Sequence, residues 1–553
     1  MPTVIVNDKP VEIGASEKLN CIQAAQRAGF EIPTYCYHPS LSVVASCRMC
    51  LVEVGQIGQD GVVAMQPKLV PACQTPVKNG TVVVTDSPKV KAAQNQVLEF
   101  LLLNHPLDCP VCDQAGECKL QDFAFRYGRG YSRLREPKLQ KPDKDHIGEH
   151  ITLFNDRCIV CTRCVRFTRE ISGTSELQLV SRGSHEEIDI FPGEPCNNKL
   201  AGNVVDLCPV GALCSKDFLY EQRVWWLKSK KSVCQDCSTG CSINVDQNND
   251  EVFRLKPREN QQAQGWYMCD EGRFGWKYIH SDQRLEAPEE RIDGRVVSRV
   301  WAGVLPSEKT ALTSAIQRNA KSVAIVFSPW MTVEEAYLLA KFAKSLSSDV
   351  TLALLPTRVE GEDDTYPKDV HGKPLTPVKF TIRAEKAPNR RGVEAVLKQF
   401  QGSIIPAGDV LGGVASGKFE SLYLVEADPK GLLSDQQAEG LAKAKLLVVQ
   451  GLLASPATKR AHFVLASGSF AERDGTVINH AGLAQLIQRA LRGPGESRAD
   501  NRILWELAGK AGLFNGAALR KEIAAEVGAL AALSEEPGEF GVMTGQQLAA
   551  ASV

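Results

Sequence analysis

The sequence lacks cysteine from Asp270 to Val553, although it contains 18 cysteines in all. Its second half therefore has no thiol that could bind a metal ion or form a disulfide. Every cysteine lies in the first half, and many are separated by only two or three residues. Thiolates at such intervals can surround an iron–sulfur cluster, because one short segment then carries several ligands. The distribution predicts electron-transfer chemistry in the first half and a cysteine-free scaffold in the second.

An excess of charge of one sign is also missing, because the formal net charge is −1. This balance argues against the large basic surface that nucleic-acid binding needs. Long apolar runs are missing too: the most apolar stretch, 444–454, is short and contains Gln450. A membrane-spanning helix needs about 20 apolar residues, so no span is predicted.

Residues 1–11 lack the basic region and apolar run of a secretion signal, so we expect no export. Without export, metal binding is a more frequent role for clustered cysteines than disulfide formation. The length of 553 residues predicts several domains rather than one core.

Residues 1–85 are predicted to form a β-grasp ferredoxin-like domain. Apolar residues at 4–6 and the alternating segment Val11-Glu12-Ile13 flank a short polar turn, which indicates a β-hairpin. Ser16 is a candidate N-cap for a helix that runs to about Ala28 and ends at Gly29. Strand, turn, strand and helix in this order are typical of the beginning of the β-grasp fold.

One cysteine, a close pair and a distant fourth follow, a layout that resembles plant-type [2Fe–2S] ferredoxins with altered spacing. A C-x2-C pair alone also serves zinc and thiol redox chemistry, so the prediction depends on the whole set. Cys21 falls inside the predicted helix and is interpreted as a core residue. The predicted ligands of one [2Fe–2S] cluster are Cys36, Cys47, Cys50 and Cys73.

Residues 86–130 contain a second set with the pattern H-x3-C-x2-C-x5-C. Three cysteines leave one iron of a [4Fe–4S] cluster without a thiolate, and imidazole is a suitable replacement. Pro106 and Pro110 restrict the chain around these donors. A neutral imidazole in place of a thiolate removes negative charge and should raise the reduction potential. The predicted ligands are His105, Cys109, Cys112 and Cys118.

Residues 150–225 contain the strongest local signal, three cysteines in the pattern C-x2-C-x2-C. In two-cluster bacterial ferredoxins the fourth ligand of such a cluster lies in a distant Cys-Pro pair, and this chain has one at 208–209. We predict one [4Fe–4S] cluster held by Cys158, Cys161, Cys164 and Cys208.

The second cluster of that ferredoxin pattern is predicted to be missing. Its ligand positions hold no cysteine, and all four are changed together. Cys196 and Cys214 are then left over, and both are interpreted as structural. The changed positions are Thr168, Asn198, Ala201 and Val204.

Residues 226–285 contain a fourth set with the pattern C-x2-C-x3-C-x27-C. Four cysteines could hold zinc or a [4Fe–4S] cluster, and the neighbouring sets favour the cluster. Together with His105, 15 cysteines then provide four ligands to each of four clusters. The ligands of this set are Cys234, Cys237, Cys241 and Cys269.

The four sets, in this order, resemble the large iron–sulfur subunit, called G in bacteria, of proton-pumping NADH:quinone oxidoreductase, respiratory complex I. The resemblance covers roughly residues 1–283. It implies an electron-transfer subunit of the peripheral arm, with one [2Fe–2S] and three [4Fe–4S] clusters. Electrons would arrive from the flavin- and NADH-binding subunit and leave through a ferredoxin-like iron–sulfur subunit toward quinone. The chain would contact other peripheral-arm subunits on the cytoplasmic side of the inner membrane, without spanning it. Only some members of the family keep the fourth set.

Residues 290–553 are predicted to form a doubly wound α/β domain. Thr332 and Glu335 form a capping box that begins a helix running to about Leu346. Strands alternating with helices indicate a parallel sheet. The predicted strands are 322–327, 350–355, 422–426 and 446–449.

The segment 469–476, with Asn479 and Gly482, resembles part of the molybdopterin-dependent oxidoreductases. No cysteine after residue 269 can bind molybdenum, so we predict a degenerate scaffold without an active site and expect no molybdenum. A glycine-rich dinucleotide motif is absent after the strands, so the chain is not expected to bind NADH itself.

Three other classes of protein share parts of this pattern. The catalytic subunit of an NAD-linked formate dehydrogenase has a similar first half, but the missing molybdenum-ligand cysteine disfavours it. An iron-only hydrogenase needs further cysteines after the fourth set. A multi-zinc interaction protein is disfavoured by the C-x2-C-x2-C spacing and by the set that contains histidine.

Overall fold

A computed structural model describes residues 2–431 and 433–545. The chain divides into two compact units, and the first comprises Met1–Trp226 and Tyr366–Pro377. The second comprises Leu227–Thr365 and Val378–Val553. The first three cysteine sets therefore belong to one unit and the fourth set to the other. The finer division into five domains remains a prediction.

The first unit begins with a mixed sheet in the order β2-β1-β6-β3-β4, with β5 paired to β3. Its strands are β1 (Thr3–Val6), β2 (Lys9–Glu12), β3 (Leu51–Ile57), β4 (Val63–Met65), β5 (Val70–Pro71) and β6 (Thr81–Val84). Strands β1 and β2 form the predicted hairpin, while β1 and β6 are parallel. Helix α1 (Cys21–Ala28) shares a core with this sheet, which is the predicted ferredoxin-like arrangement.

Helix α1 begins directly after Asn20, so the predicted N-cap at Ser16 is wrong. The Asn20 side chain accepts a hydrogen bond from the backbone N–H of Gln23, and the Gln23 side chain accepts one from the N–H of Asn20. This reciprocal capping box satisfies two N–H groups that the helix leaves unpaired. The predicted end at Gly29 is confirmed, because Gly29 adopts a left-handed conformation with φ of 84°.

Short elements make up the rest of the first unit. Strand β7 pairs with β10, and β8 pairs with β9, both antiparallel. A π-helical turn, Thr168–Ser172, follows α4 directly. The elements are α2 (Pro88–Leu103), α3 (Lys119–Tyr127), β7 (Ile151–Leu153), α4 (Arg163–Phe167), β8 (Gln178–Val180), β9 (Glu187–Asp189), α5 (Asn203–Leu207) and β10 (Leu213–Ser215).

The strands from residue 227 onward form a large sheet and several small ones. They are β11 (Lys228–Val233), β12 (Ser242–Asn248), β13 (Glu251–Pro257), β14 (Glu289–Ile292), β15 (Arg295–Ser298), β16 (Val323–Phe327), β17 (Thr351–Leu354), β18 (Arg358–Val359), β19 (Asp364–Tyr366), β20 (Phe380–Ile382), β21 (Glu385–Lys386), β22 (Ile405–Pro406), β23 (Ser421–Glu426), β24 (Leu446–Gly451), β25 (Phe463–Ala466), β26 (Gly475–Ile478), β27 (Leu483–Ile487) and β28 (Val542–Met543).

The helices described from residue 227 onward all lie in the second unit. They are α6 (Asp270–Phe274), α7 (Trp301–Asn319), α8 (Val333–Leu346), α9 (Arg390–Gln401), α10 (Ala407–Ala415), α11 (Asp435–Leu441), α12 (Asp500–Leu507) and α13 (Gly516–Glu526). The predicted capping box of Thr332 and Glu335 begins α8, as expected. Among the described residues, no helix combines the length and the apolar character that crossing a membrane requires.

The large sheet has the order β15-β14-β25-β24-β23-β16-β17-β22, and the six strands from β25 to β22 are parallel. Alternate residues of β16 enter two different cores. Val323, Ile325 and Phe327 pack with residues of α7, α8 and α9, whereas Ala324 and Val326 pack with residues of α10 and α11. Helices thus cover both faces, which explains why the strands are apolar throughout. The predicted doubly wound domain is confirmed.

Candidate iron–sulfur sites

The first cysteine set converges within the ferredoxin-like domain. Cys50 precedes β3 and Cys73 follows β5, so the pairing of these strands brings the two residues together. The N–H of Ala72 donates to the carbonyl oxygen of Cys50 at 2.9 Å. The thiols of Cys50 and Cys73 are hydrogen-bonded, and so are those of Cys36 and Cys47. The hydrogen bond from Cys47 lowers the pKa of Cys36 to about 5.

The loop of the first set directs backbone N–H groups toward sulfur. Ala45 and Arg48 adopt left-handed conformations, with φ of 51° and 57°. The N–H groups of Ser46 and Cys47 donate to the Cys36 thiol. Hydrogen bonds to cluster sulfurs are one of the means by which proteins set reduction potentials. The donors of this set therefore fit the predicted cluster.

The second set contains an imidazole with a buried, unpaired nitrogen. Nδ1 of His105 has no hydrogen-bond partner among the described residues. Burial, with a smaller contribution from Lys138, lowers the pKa of His105 to about 4. The ring is therefore neutral at neutral pH, which is the form that binds metals. Cys112 and Cys118 are buried, whereas Cys109 is exposed. The orphaned nitrogen fits the prediction that His105 completes this set.

All four predicted ligands of the third set line one small cavity. Its other walls are mostly apolar and include Leu153 and Ile188. Burial raises the pKa of Cys158 to about 12 and that of Cys161 to about 11. Without a metal, such thiols stay protonated at neutral pH. A bound metal cation stabilises the thiolate form and so removes the proton. The ligands around the cavity are Cys158, Cys161, Cys164 and Cys208.

The backbone of the third set is strained at two β-branched residues. Val160 and Thr162 have φ of 52° and 60°, a region that such side chains rarely enter. This conformation turns the N–H of Val160 toward Sγ of Cys158, at 3.4 Å. Strain of this kind is concentrated at functional sites. Here the two strained residues belong to the loop that surrounds the cavity.

The ligand positions of the missing second cluster are used for packing. Thr168, Ala201 and Val204 are buried. The Thr168 hydroxyl donates to a backbone carbonyl oxygen, and the Asn198 side chain donates to Glu176. Cys196 and Cys214 are buried as well. These contacts support the prediction of a single cluster in this segment.

The third set contacts the second set directly. The N–H of Lys119, which follows Cys118, donates to the carbonyl oxygen of Pro209 at 3.1 Å. Gly211 lies so close to Cys112 that a Cβ atom at residue 211 would collide with the sulfur. The Cys-Pro-Val-Gly turn of the third set therefore packs against the Cys112 thiol of the second.

The first set contacts both of the others. Nη2 of Arg166 donates to the carbonyl oxygens of Cys36 and Cys161, and so joins the first set to the third. The rings of Tyr35 and Phe123 lie 5.4 Å apart between their centroids and join the first set to the helix after the second. The three sets of the first unit are thus mutual neighbours.

The fourth set lies in the second unit, and its four cysteines are all buried. The N–H of Cys234 donates to the carbonyl oxygen of Cys241 at 2.9 Å, where β11 pairs with β12. Sγ of Cys269 accepts a hydrogen bond from the N–H of Gly272 at 3.4 Å. A Cβ atom at residue 272 would lie 2.8 Å from Sγ of Cys234. Glycine is required there because the backbone approaches two sulfurs.

The loop of the fourth set is tied to the α/β body of the same unit. Asn479 Nδ2 donates to the carbonyl oxygen of Thr239 at 3.0 Å, and Gln485 Nε2 donates to that of Gly240 at 2.7 Å. The segment that resembles molybdopterin enzymes, 469–476 with Asn479 and Gly482, therefore lies next to this cysteine loop, and Asn479 bonds to it directly.

Sequence analysis missed the charged residues around the fourth set. The buried Lys386 donates to Glu271 at 2.5 Å, and its Nζ lies 3.6 Å from Asp236. A cavity of about 230 Å³ borders Cys234, with Trp276 and Trp330 among its other walls. No sequence signal marks these residues, because they are scattered along the chain.

Within residues 2–431 and 433–545, no three side chains of His, Cys, Asp or Glu are arranged to hold a single metal ion. That finding concerns single ions, since a cluster distributes its ligands over several iron atoms.

Five family models match the chain in the order of the predicted sites. Residues 3–88 match the 2Fe-2S iron-sulfur cluster binding domain, and residues 94–133 match the NADH-ubiquinone oxidoreductase-G iron-sulfur binding region. Residues 148–214 match the ferredoxin-like domain of NADH-quinone oxidoreductase subunit 3. Residues 227–281 match the molybdopterin oxidoreductase Fe4S4 domain, and residues 404–510 match molybdopterin oxidoreductase.

Curated relatives agree with these matches. The G subunit of NADH-quinone oxidoreductase from Rickettsia felis is 40% identical over 341 residues, which are 61% of this chain and 48% of that protein. The NADH-ubiquinone oxidoreductase 75 kDa subunit of Reclinomonas americana is 38% identical over 348 residues, 63% of this chain and 48% of the relative. The chain thus spans about half the length of the curated relatives it matches.

One solved structure, of an NAD+-reducing [NiFe]-hydrogenase in the H2-reduced state, covers 40% of this chain and 91% of its own. Its identity of 24% and TM-score of 0.34 are too low to support an argument. The family models of residues 3–281, by contrast, agree in kind and in order with the cysteine sets described above. Over about half of the length of that relative, the chain is similar to the G subunit of NADH-quinone oxidoreductase, and its family-model matches include an iron–sulfur binding region of the same name.

Proposed function

We propose that the chain is an electron-transfer subunit in the peripheral arm of proton-pumping NADH:quinone oxidoreductase. In this proposal it receives electrons from the flavin- and NADH-binding subunit and does not bind NADH itself. It passes them to a ferredoxin-like iron–sulfur subunit that leads to quinone. Its place is on the cytoplasmic side of the inner membrane, among the other peripheral-arm subunits and without a direct membrane span.

The proposed cofactors are one [2Fe–2S] cluster and three [4Fe–4S] clusters, without molybdenum. Such clusters accept and release single electrons without forming or breaking bonds to substrate. The first cluster would be bound by Cys36, Cys47, Cys50 and Cys73, and the second by His105, Cys109, Cys112 and Cys118. The third would be bound by Cys158, Cys161, Cys164 and Cys208, and the fourth by Cys234, Cys237, Cys241 and Cys269.

The observation that carries this proposal is the mutual contact of the first three sets. Arg166 hydrogen-bonds to ligand carbonyls of two sets, and Gly211 of the third set abuts Cys112 of the second. A reaction at one metal site would not need two further sites in contact with it. Three adjoining sites are suited to the stepwise passage of electrons.

The residues of each site have three tasks. The thiols and the neutral imidazole of His105 bind iron, and backbone N–H groups such as that of Val160 stabilise negative charge on sulfur. Apolar walls, as around Cys161, keep water away from the metal. The exposed Cys109 brings the second site to the surface of the first unit, where a partner's cofactor could approach.

Metal analysis of the full chain tests the proposal. We expect about 14 iron atoms per chain, the sum for one binuclear and three cubane clusters, and neither molybdenum nor zinc. Electron paramagnetic resonance of the reduced chain should show both cluster types.

A matched pair of variants controls for nonspecific iron. Cys161→Ala should lose the signal of one [4Fe–4S] cluster, whereas Cys214→Ala, at a buried cysteine outside the sets, should lose none. Iron near eight atoms per chain with zinc in place of the rest would refute the four-cluster proposal. Stoichiometric molybdenum would instead favour the formate dehydrogenase alternative.

A further inference from the structure

Two buried arginines connect the first and third cysteine sets. Arg166 is 3% exposed, and its Nη2 donates to the carbonyl oxygen of Cys36 at 2.5 Å and to that of Cys161 at 3.3 Å. Its Nη1 donates to the carbonyl oxygen of Ser42 at 2.5 Å. One guanidinium therefore holds the loop of the first set against the loop of the third.

Arg163 makes a second connection one helical turn away in α4. It is 5% exposed, and its Nη2 donates to the carbonyl oxygen of Tyr37 at 2.5 Å. Its Nη1 donates to the carbonyl oxygen of Leu207, next to Cys208, at 3.2 Å. The planar guanidinium presents several donors in a fixed geometry, so two such groups restrict both the separation and the orientation of the loops.

The hydrogen-bond acceptors of both guanidiniums are uncharged, mainly carbonyl oxygens, and so leave the positive charges without a direct carboxylate partner among the described residues. A buried charge is costly unless an opposite charge lies nearby. Arg157 provides the contrast in the same segment, because it is also buried but pairs with Asp108 at 3.0 Å. The charge of Arg166 also acts on the Glu170 carboxylate, which bonds to Ser42. The thiolate-bound clusters proposed above would be further anions for Arg166 and the first for Arg163.

We propose that Arg163 and Arg166 are positioning residues that hold the first and third cluster sites together and raise the reduction potentials of both. This inference rests on the proposed function. Reduction adds one electron to a site and makes it more negative, and a fixed positive charge favours that state. Arg166 bonds to a ligand of each set, and Arg163 bonds to the residue beside a ligand of each set, so both charges act on the two sites together.

Redox potentiometry of the full chain with its clusters, monitored by electron paramagnetic resonance, tests this role. We expect Arg166→Gln and Arg163→Gln to shift the midpoint potentials of the [2Fe–2S] signal and of one [4Fe–4S] signal to lower values. Arg166→Lys keeps the positive charge, so both midpoint potentials should stay close to their wild-type values. Arg169→Gln removes the same charge from a side chain that is 61% exposed, and should shift neither signal.

Midpoint potentials that stay at wild-type values in both glutamine variants, with wild-type iron content, would overturn the proposal. A shift confined to one signal would overturn the joint action on two sites. If the glutamine variants lose a cluster, the Arg166→Lys variant decides. A cluster retained in that variant supports the role of the charge, and a cluster lost in that variant overturns this role. A wild-type chain without [2Fe–2S] and [4Fe–4S] signals would instead refute the proposed function.

Discussion

The cysteine sets of the two units differ in their exposure and in what surrounds them. In the first unit, Cys109 is exposed and Cys47, Cys158 and Cys208 are partly exposed. In the second unit all four cysteines of the set are buried, and their loop is bonded to the α/β body through Asn479 and Gln485. The first three sets also contact one another, whereas the fourth contacts its own scaffold.

The difference fits two uses of the proposed cluster ligands. Sites that adjoin each other and reach the surface of their unit are suited to passing electrons in and out. A site that is enclosed and tied to a scaffold is suited to holding structure, because metal binding can contribute folding free energy. We therefore expect substitutions in the first unit to reduce turnover and substitutions in the fourth set to reduce assembly.

The largest effect should follow from loss of the third site, which shares hydrogen bonds with both of its neighbours. We expect Cys161→Ala to reduce NADH:quinone turnover per assembled complex by at least about tenfold, because one [4Fe–4S] site of the path would be missing. The measurement is steady-state activity normalised to the content of the remaining clusters. Cys214→Ala, at a buried cysteine outside the sets, is the control. Normal turnover in Cys161→Ala would mean that electrons bypass this site.

Substitution of the histidine should affect one site in the first unit. We expect His105→Ala to lose or destabilise only the cluster of Cys109, Cys112 and Cys118. His105→Cys should keep that cluster at a lower potential, because a thiolate adds negative charge. Spectra of the reduced protein and the midpoint potential of each signal are the measurements. If His105→Ala leaves every signal and the turnover unchanged, the unpaired Nδ1 has another explanation.

A smaller effect on turnover should distinguish the fourth set from the others. We expect Cys237→Ala to lower the amount of assembled complex several-fold, since a loss of about 1–2 kcal/mol changes abundance by that order. Turnover normalised to the other three clusters should stay close to wild type. A large loss in the normalised rate with intact assembly would place this site on the electron path and remove the contrast between the units.

The smallest effect concerns the scaffold of the second unit. Glu308 in α7 is buried, and neither of its carboxylate oxygens has a partner among the described residues. Burial raises the pKa of Glu308 from 4.5 to about 8 in the folded chain. Between these two pKa values, the folded state holds a proton that the unfolded state has released. The stability that the protonated Glu308 contributes is therefore fully present below the pKa of the unfolded state, and it is lost as the pH rises through the pKa of the folded state.

We expect the Glu308 carboxyl alone to lower the free energy of unfolding of the second unit between about pH 4.5 and 8, by at most about 1.4 kcal/mol per pH unit. Glu308→Gln should remove this slope and raise the melting temperature at pH 8. Calorimetry of wild type, Glu308→Gln and the exposed control Glu439→Gln across this range is the measurement. Equal slopes in all three proteins would show that Glu308 does not bind a proton on folding.

Local patterns predicted much of the fold. The strands at 322–327 and 446–449 were recognisable because both faces of a covered parallel sheet are apolar, and the capping box of Thr332 was recognisable because it needs only neighbouring residues. The start of α1 was predicted wrongly because the local pattern contains two suitable caps. Ser16 and Asn20 are both suitable caps, and the reciprocal bond between Asn20 and Gln23 decides between them.

The sequence by itself determined the type and the grouping of the donors, because ligands of one cluster lie at short intervals or in recognisable pairs. It could therefore predict the four sets and the incomplete ferredoxin pattern around Asn198. The tertiary structure alone decided which sets are neighbours and which charges lie between them. Arg163 and Arg166 are ordinary helix residues in the sequence. Their burial against Tyr37 and Cys36 depends on the packing of segments more than 120 residues apart in the chain, and no local pattern records such long-range packing.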